Sequence, residues 1–511
     1  MTLCRSKAYR QVRHVTLALR LLMMLFTGYA YCGAAWSQQA DNVLGYHHAD
    51  NRSGQYVVPG LTWQRAQHLH RDAGFDGRVD GHVYAQPLFW HPPGAAHGLV
   101  IVATESNSVY ALDATTGHPV WRAALGAPVS RSALQCGNID PVGITGTPVI
   151  DPAAGALYLD AMVTRNGEPR HLVYGLSLRD GAVLPGWPVD IAASLRDRGM
   201  AFNSRFQGER GALVLLDGHL FVPYGGYFGD CGDYHGMVVG LQLDKPGVFA
   251  AWETRGSKGG IWTPGGIATA DGALFVATGN TEGSRSWADG EAIIRLAPDL
   301  KRSTSPRDSF APADWQQLDD EDLDLGGVNP MPIEVGGKHL IVALGKDGKA
   351  YLLDRENLGG VGGALEVLKV SKELILNAPT SYTEPDGVYL AFHGNGAVCP
   401  RDRRGTGLIA LRVANASRGG MSIAWCALLN GAGSPISTTS DGKADRIVWI
   451  AGADGDDQLH GFRGDNGQPV FTGGGPQDRI PNVRHFATPI AGDGRLYIAG
   501  DGRVYAFVAG R

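Results

Sequence analysis

Only six cysteines occur in 511 residues, and none of them forms Cys-Cys, Cys-x-x-Cys or Cys-x-x-Cys-His. His-Glu-x-x-His is missing as well. These absences argue against a zinc ribbon, covalently attached c-type haem and a zincin protease. Charge is sparse: Asp, Glu, Lys and Arg make up 19% of the chain, no Lys/Arg run stands out, and the formal net charge is -5. Nothing there points to nucleic acid. Past the first forty or so positions no apolar run is long enough to span a membrane. What is abundant is punctuation. The 73 Gly and 28 Pro leave little room for long helices and favour short strands joined by turns. With 44% hydrophobic residues the chain has material for a large core.

The N-terminus reads as a secretory signal. Arg5, Lys7, Arg10 and Arg13 lead into TLALRLLMMLFTGYAYCGAA, which small residues close. Ala35 and Ser37 suit cleavage after Ser37. A membrane anchor is the competing reading, but the run is short for a span and Arg20 interrupts it. Cys32 follows Tyr-Ala-Tyr, a poor lipidation signal. Removing residues 1–37 takes away five basic and no acidic residues, so the mature net charge becomes about -10. Periplasmic or secreted localisation implies an oxidising compartment. Cys136, Cys231, Cys399 and Cys426 remain, and three pairings are possible. Cys399–Cys426, both in one repeat unit, is favoured, with Cys136–Cys231 by elimination.

The repeat appears most plainly in VIVATESNSVYALDATTGHPVWRAALG. An apolar strand, a polar turn and the alternating strand SVYAL precede Ala111-x-Asp113-x-x-x-Gly117-x-x-x-Trp121. Asp113 can bond the backbone of a tight turn, Gly117 permits positive φ, and Trp121 can wedge between neighbouring units. Weaker copies follow at Gly175/Gly181/Trp187, Gly240/Gly247/Trp252 and Gly461/Gly467/Phe471, and Tyr351-Leu-Leu-Asp354 carries the inner half of the pattern. A small residue, often Pro, opens each unit: Pro87, Pro148, Pro264, Pro330, Pro379, Pro435 and Pro489. The double gap after Pro148 holds a further unit from Ala212 to Trp252. That makes eight units at roughly 50–65-residue spacing, compatible with four-stranded blades. The last unit stops before its outer strand, whereas the segment around Trp63 (GLTWQRAQHL) is expected to be an outer strand without a unit. The two ends should therefore complete one blade and protect the sheet edges. The expected fold is all-β: one eight-bladed β-propeller over residues 38–511, its ring closed by an N-terminal outer strand. An array of β-sandwiches fits eight near-equal units with complementary ends less well.

The AxDxxxGxxxW turn resembles the tryptophan-docking motif of the pyrroloquinoline quinone (PQQ) dehydrogenases, and the repeat pattern covers residues ~45–511. An outer-membrane assembly propeller shares the motif without redox chemistry, so any site must be read residue by residue. In GGIWTPGGIATADGALFVATGN, Trp262 precedes Asn280 by eighteen residues. This resembles the family's stacking Trp and metal-ligand Asn. An indole offers a flat platform for a quinone, and an amide oxygen suits calcium. DEDLDLGGVN places Asp324 on the family's catalytic aspartate, which would also touch the metal. Gly326 stands where lanthanide enzymes carry a second acid, which implies calcium. ALGKDGKAY places Lys346 where the family has a cation on the quinone oxygens, and GITGTPVID places Thr145 where it has a quinone-bonding Thr.

Each of these residues also has a plain structural reading: inter-blade packing for Trp262, a turn for Asn280 and Lys346, a solvated acidic loop for Asp324. Three departures qualify the resemblance. No Cys-Cys occurs. Cys231 takes the place of the metal-ligand Glu in GGYFGDCGDYHG, with Asp230 beside it as a substitute carboxylate unless the segment is a strand. Tyr84 replaces a Glu on the quinone's rim. GDCGDYHG could equally be a disulfide-pinned turn.

Two functions are therefore expected to compete. One is a PQQ- and calcium-dependent dehydrogenase of an alcohol or aldehyde, a small-molecule substrate, passing electrons to an external acceptor. The other is a non-catalytic propeller binding an envelope protein or glycan. No membrane span remains once the signal is removed.

Overall fold

A computed structural model of the chain describes residues 42–396, 399–400, 407–415 and 420–510. The expected signal at 1–37 lies outside them. Eight antiparallel four-stranded units follow one another along the chain. Blades 1 to 7 span 88–124, 149–190, 214–253, 268–311, 331–369, 380–427 and 436–472. Blade 8 takes three strands from 490–509 and its fourth from Leu69–Arg71, which pairs antiparallel with Arg503–Ala509, Leu69 opposite Ala509. The chain is thus an eight-bladed β-propeller closed by an N-terminal outer strand. Each expected unit appears as one blade, including the one without a Pro. Among the described residues no helix is long and apolar enough to cross a membrane.

Trp63 itself is not on the closing strand. Thr62 accepts the Arg65 N–H at 3.2 Å and caps a one-turn helix, Trp63–Ala66, so the strand starts only at Leu69. The Trp63 indole instead lies against blade 7. Its Nε1 donates to the Arg446 carbonyl at 3.0 Å, and the Arg463 guanidinium sits 3.6 Å over the ring.

Burial explains why the inner strands hide their period. Ser108–Asp113 is buried at five successive positions because the next blade covers the face that would otherwise be wet. The outer strand Pro119–Ala124 keeps the alternation, with Trp121 as its buried residue. The Trp121 Nε1 donates to Leu178 O of blade 2 at 2.9 Å, and Trp425 of blade 6 does the same to Gly464 O of blade 7 at 2.7 Å. A turn glycine makes room for each ring. A side chain at Gly181 (φ +71°) would meet the Trp121 ring at 2.6 Å, and one at Gly467 (φ +69°) would meet Trp425 at 2.5 Å. Gly181→Ala is therefore expected to cost about 2 kcal/mol, from overpacking and left-handed backbone together, measurable by denaturant unfolding. A Gly181→Ala protein as stable as wild type would show that the Trp does not fix the blade spacing.

The chain before the closing strand fills the central channel. Val43 bridges Phe89 of blade 1, and the Leu44 carbonyl accepts Ile150 N–H of blade 2 at 2.7 Å. Arg52, 1% exposed, donates to Leu213 O at the start of blade 3 and to Ile267 O at the start of blade 4, at 3.0 and 2.8 Å. Ser53 O accepts Ser381 N–H of blade 6 at 2.8 Å. Gln55–Val57 then runs parallel to Ile436–Thr439 of blade 7, and Tyr46 reaches Thr488 before blade 8 at 3.1 Å. One segment, 42–58, thus ties seven of the eight blades together. Its isolated polar pattern gave no sign of this role.

Candidate functional site

In an antiparallel blade the start of the innermost strand and the end of the second strand lie at the same end of the sheet. Loops leading into innermost strands carry Thr145, Arg210, Trp262 and Asp324. Loops leaving second strands carry Glu105, Asn280 and Lys346, each two residues past the strand end. All of them therefore face one end of the channel.

Trp262, Asn280, Asp324 and Lys346 come together there. Asp324 is 3% exposed. Its Oδ1 accepts the Asn280 N–H at 2.9 Å, and its Oδ2 lies 2.5 Å from Lys346 Nζ. The Lys346 ammonium also meets Asp322 at 3.0 Å and stands 5.2 Å from the centre of the Trp262 ring. Burial alone would weaken this ammonium, but the Asp324 and Asp322 carboxylates outweigh it and hold the lysine above its ordinary range. Close approach depends on Gly279: a side chain there would meet Asp324 Oδ1 at 2.8 Å and Trp262 Nε1 at 3.2 Å. So Trp262 is not confined to blade packing, and Asp324 is not a solvated acid.

Thr145 shares a cavity with Trp262. Glu209, Arg210, Tyr227 and Phe228 complete its wall, and the loop Gly137–Ile139 covers it. Its volume is about 40 Å³, room for a few waters. The Cys136–Cys231 disulfide ties the loop to the Tyr227–Phe228 side of the cavity, and Cys399–Cys426 is the second bridge, so the favoured pairing holds.

Three buried glutamates and one arginine were missed from the sequence. Glu105, Glu209 and Glu291 each accept one backbone N–H, from Gly143 (2.5 Å), Gly146 (3.1 Å) and Leu325 (2.5 Å), and each leaves its other oxygen without a partner. Burial pushes the Glu105 carboxyl up to about 7 and raises Glu209 and Glu291 well above the usual range. The Arg210 guanidinium stacks 4.7 Å over Phe486 and faces Tyr84 and Glu105. The signal that finds Glu105 is positional: it occupies the same place in blade 1 as Asn280 in blade 4 and Lys346 in blade 5. Glu209 and Arg210 sit just before an innermost strand, as Thr145 and Trp262 do.

The expected metal ligands do not form a calcium cage as they stand. Calcium takes six to eight oxygens. Both Asp324 oxygens already have protein donors. Asp230 lies in a turn (φ +43°), not a strand, so the objection to its side-chain direction falls away. Yet its carboxylate accepts the Tyr234 hydroxyl, and burial pushes it above the usual carboxylate range. Cys231 is spent in the disulfide. Among the described residues no three His, Cys, Asp or Glu side chains are grouped to hold a metal ion. The quinone's donor set fits better: an indole face, a hydroxyl, two cations and an orphaned buried carboxyl oxygen on Glu209.

Comparison with known proteins bears on the fold. A family model described as outer membrane protein assembly factor BamB matches residues 60–184. No curated protein matches the chain in sequence. Three solved structures resemble it over most of both chains. The quinohemoprotein alcohol dehydrogenase ADHIIG from Pseudomonas putida HK5 is 13% identical with a TM-score of 0.64, over 92% of this chain and 80% of that one. The quinohemoprotein alcohol dehydrogenase from Comamonas testosteroni is 14% identical at 0.60, over 93% and 82%. A europium-containing methanol dehydrogenase is 13% identical at 0.60, over 91% and 90%. Identity this low carries architecture and not activity. In fold, the chain is an eight-bladed β-propeller with the architecture of these three proteins.

Proposed function

We propose that the protein is an exported quinone-dependent oxidoreductase that oxidises an alcohol or aldehyde and passes the electrons to a separate acceptor. The observation that carries this reading is the convergence of Trp262, Asp324 and Lys346 beside a cavity walled by Thr145 and Arg210. When bound, PQQ supplies a two-electron acceptor for the hydride that leaves the substrate carbon. Trp262 offers the apolar face, and Thr145 and Arg210 anchor polar edges. Lys346 places positive charge where the ligand's oxygens gain electrons. Asp324, buried and fixed by the Asn280 N–H, takes the hydroxyl proton of the alcohol or of the hydrated aldehyde. No Cys-x-x-Cys-His is present for a bound haem, so the electrons leave to an external carrier.

A second reading, a non-catalytic binding propeller of the cell envelope, is favoured by the small size of the cavity, about 40 Å³, and by the Cys136–Cys231 disulfide that pins the loops beside it. One experiment separates the two. PQQ is added to the purified protein, Trp quenching reports uptake, and dye reduction is followed over a panel of alcohols and aldehydes. Asp324→Asn is expected to keep uptake and to lose dye reduction by about a hundredfold or more. No uptake by wild type under any condition sinks the redox reading and leaves the binding propeller.

A further inference from the structure

Lys258 is the buried cation of this corner that the reaction above does not use. Its residue is 7% exposed, and its backbone adopts φ +68°, unusual for a side chain of this length. The surroundings fix it there: its N–H donates to Tyr234 O at 2.6 Å, and its carbonyl accepts the Gly236 N–H at 2.7 Å and the Thr254 hydroxyl at 3.1 Å. Such over-determined strain marks positions where the structure needs a particular placement. What is placed is an ammonium. Nζ donates to the carbonyls of Asp230 and Gly232, both at 2.5 Å, and lies 5.1 Å from the centre of the Tyr234 ring. The next residue, Gly259, donates its N–H to the Asn280 carbonyl at 2.7 Å, so the backbone that carries this cation runs beside the candidate ligand Asn280.

Occupancy of the candidate ligands then decides what the corner can take. Asp230 and Asp324 are its two candidate ligand carboxylates, and Asp230 interacts electrically with Asp324 and with Lys258. Lys346 pairs with Asp324 and Asp322, whereas Lys258 holds the backbone carbonyl of Asp230 and pairs with Glu282 at 3.8 Å. A divalent ion would find both Asp324 oxygens and the Asp230 carboxylate already bonded by protein groups. It would have to displace Lys346 from Asp324 and the Tyr234 hydroxyl from Asp230.

We infer that Lys258, with Lys346, takes the place of a divalent cation in this site, so that the protein binds its organic ligand without calcium. A carbonyl-held ammonium supplies the positive field, and the chain carries it as a side chain instead of recruiting it from solution. The inference rests on the quinone reading for the identity of the ligand, but not for its statement about metal.

Two titrations of the full exported chain test it. The first measures PQQ binding by Trp quenching in EDTA and again in excess calcium. Dissociation constants equal within about twofold are expected, whereas binding at least tenfold tighter with calcium overturns the inference. Lys258→Met keeps the side chain's length without its charge. It is expected to weaken PQQ binding in EDTA about tenfold and to regain part of that loss with calcium. Unchanged affinity would take the role away from Lys258. The second titration uses terbium luminescence sensitised by Trp262, with no quinone present. Wild type is expected to show no saturable site up to about 1 mM, the weak end of calcium modules. A saturable terbium site that disappears in Asp324→Asn overturns the inference even if PQQ never binds. Failure of PQQ to bind with no terbium site sinks the proposed function alone.

Discussion

Replacing Cys136 and Cys231 together by Ser will lower the stability of the propeller by about 4–5 kcal/mol, the largest loss expected from any single cross-link here. The bridge spans 95 residues and joins a loop after blade 1 to a loop within blade 3. Closing a loop of that length removes much of the unfolded chain's freedom, and the effect grows slowly with loop length. Cys399–Cys426 spans 27 residues, and the same relation gives about 3.5 kcal/mol for its loss. The comparison is the test. Urea unfolding of the two double-Ser variants should rank the 95-residue bridge as the more costly. The opposite ranking would mean that the bridges act through the folded state. The Cys136–Cys231 variant has a second expected effect: the Gly137–Ile139 loop is released from the Tyr227–Phe228 wall, so ligand entry beside Trp262 should speed up.

Between about pH 4.5 and 7 the buried Glu105 carboxyl should withdraw stability as pH rises, while the buried His47 and His393, held down to about 3 and 4, oppose it below about 6.5. Glu105 is the measurable case. Its carboxyl sits at about 7 when folded against 4.5 when exposed, because burial penalises the anion. A raised folded value means that the native state binds the proton more tightly. The benefit is full below 4.5 and is lost as pH climbs through 7. At 1.36 kcal/mol per unit this is roughly 3 kcal/mol. Glu209 and Glu291 are raised further and extend the slope upward. Glu105→Gln keeps an acceptor for the Gly143 N–H and cannot ionise. Chemical unfolding at pH 5 and pH 8.5 should show the slope reduced by about that amount. An identical slope in wild type and variant would place the titration elsewhere.

The eight units were legible because they repeat parts of one physical device: a small residue before the innermost strand, then a tight turn whose glycine receives a neighbour's Trp at Gly181 and Gly467. Asp113 does bond its turn, accepting Thr115 and Thr116 N–H at 3.0 and 2.8 Å. Closure was legible from the mismatched ends, but its register was not, since Thr62 caps a helix just where a strand was expected. At the site, Trp262, Asn280, Asp324 and Lys346 could be found because their spacing survives in sequence. Glu209 and Lys258 could not, and Glu105 emerges only once the blades are aligned on Asn280 and Lys346. A carboxyl whose burial comes from three blades, or an ammonium held by carbonyls, leaves no local pattern. The channel-filling segment is invisible for the same reason: its partners lie up to 442 residues away.

That segment sets an order of events. Residues 42–71 supply both the channel filling and the fourth strand of blade 8, and those partners include the last strand of the chain, Arg503–Ala509. At ribosomal rates of about 5–20 residues per second, the first tenth of the molecule waits on the order of half a minute or longer for its final neighbours. Through that interval Leu69, buried in the finished ring, lacks the strand it pairs with, whereas Val43 can already meet Phe89 of blade 1. The closing strand is therefore the last to be seated, and the ring cannot close before Arg503–Ala509 is present.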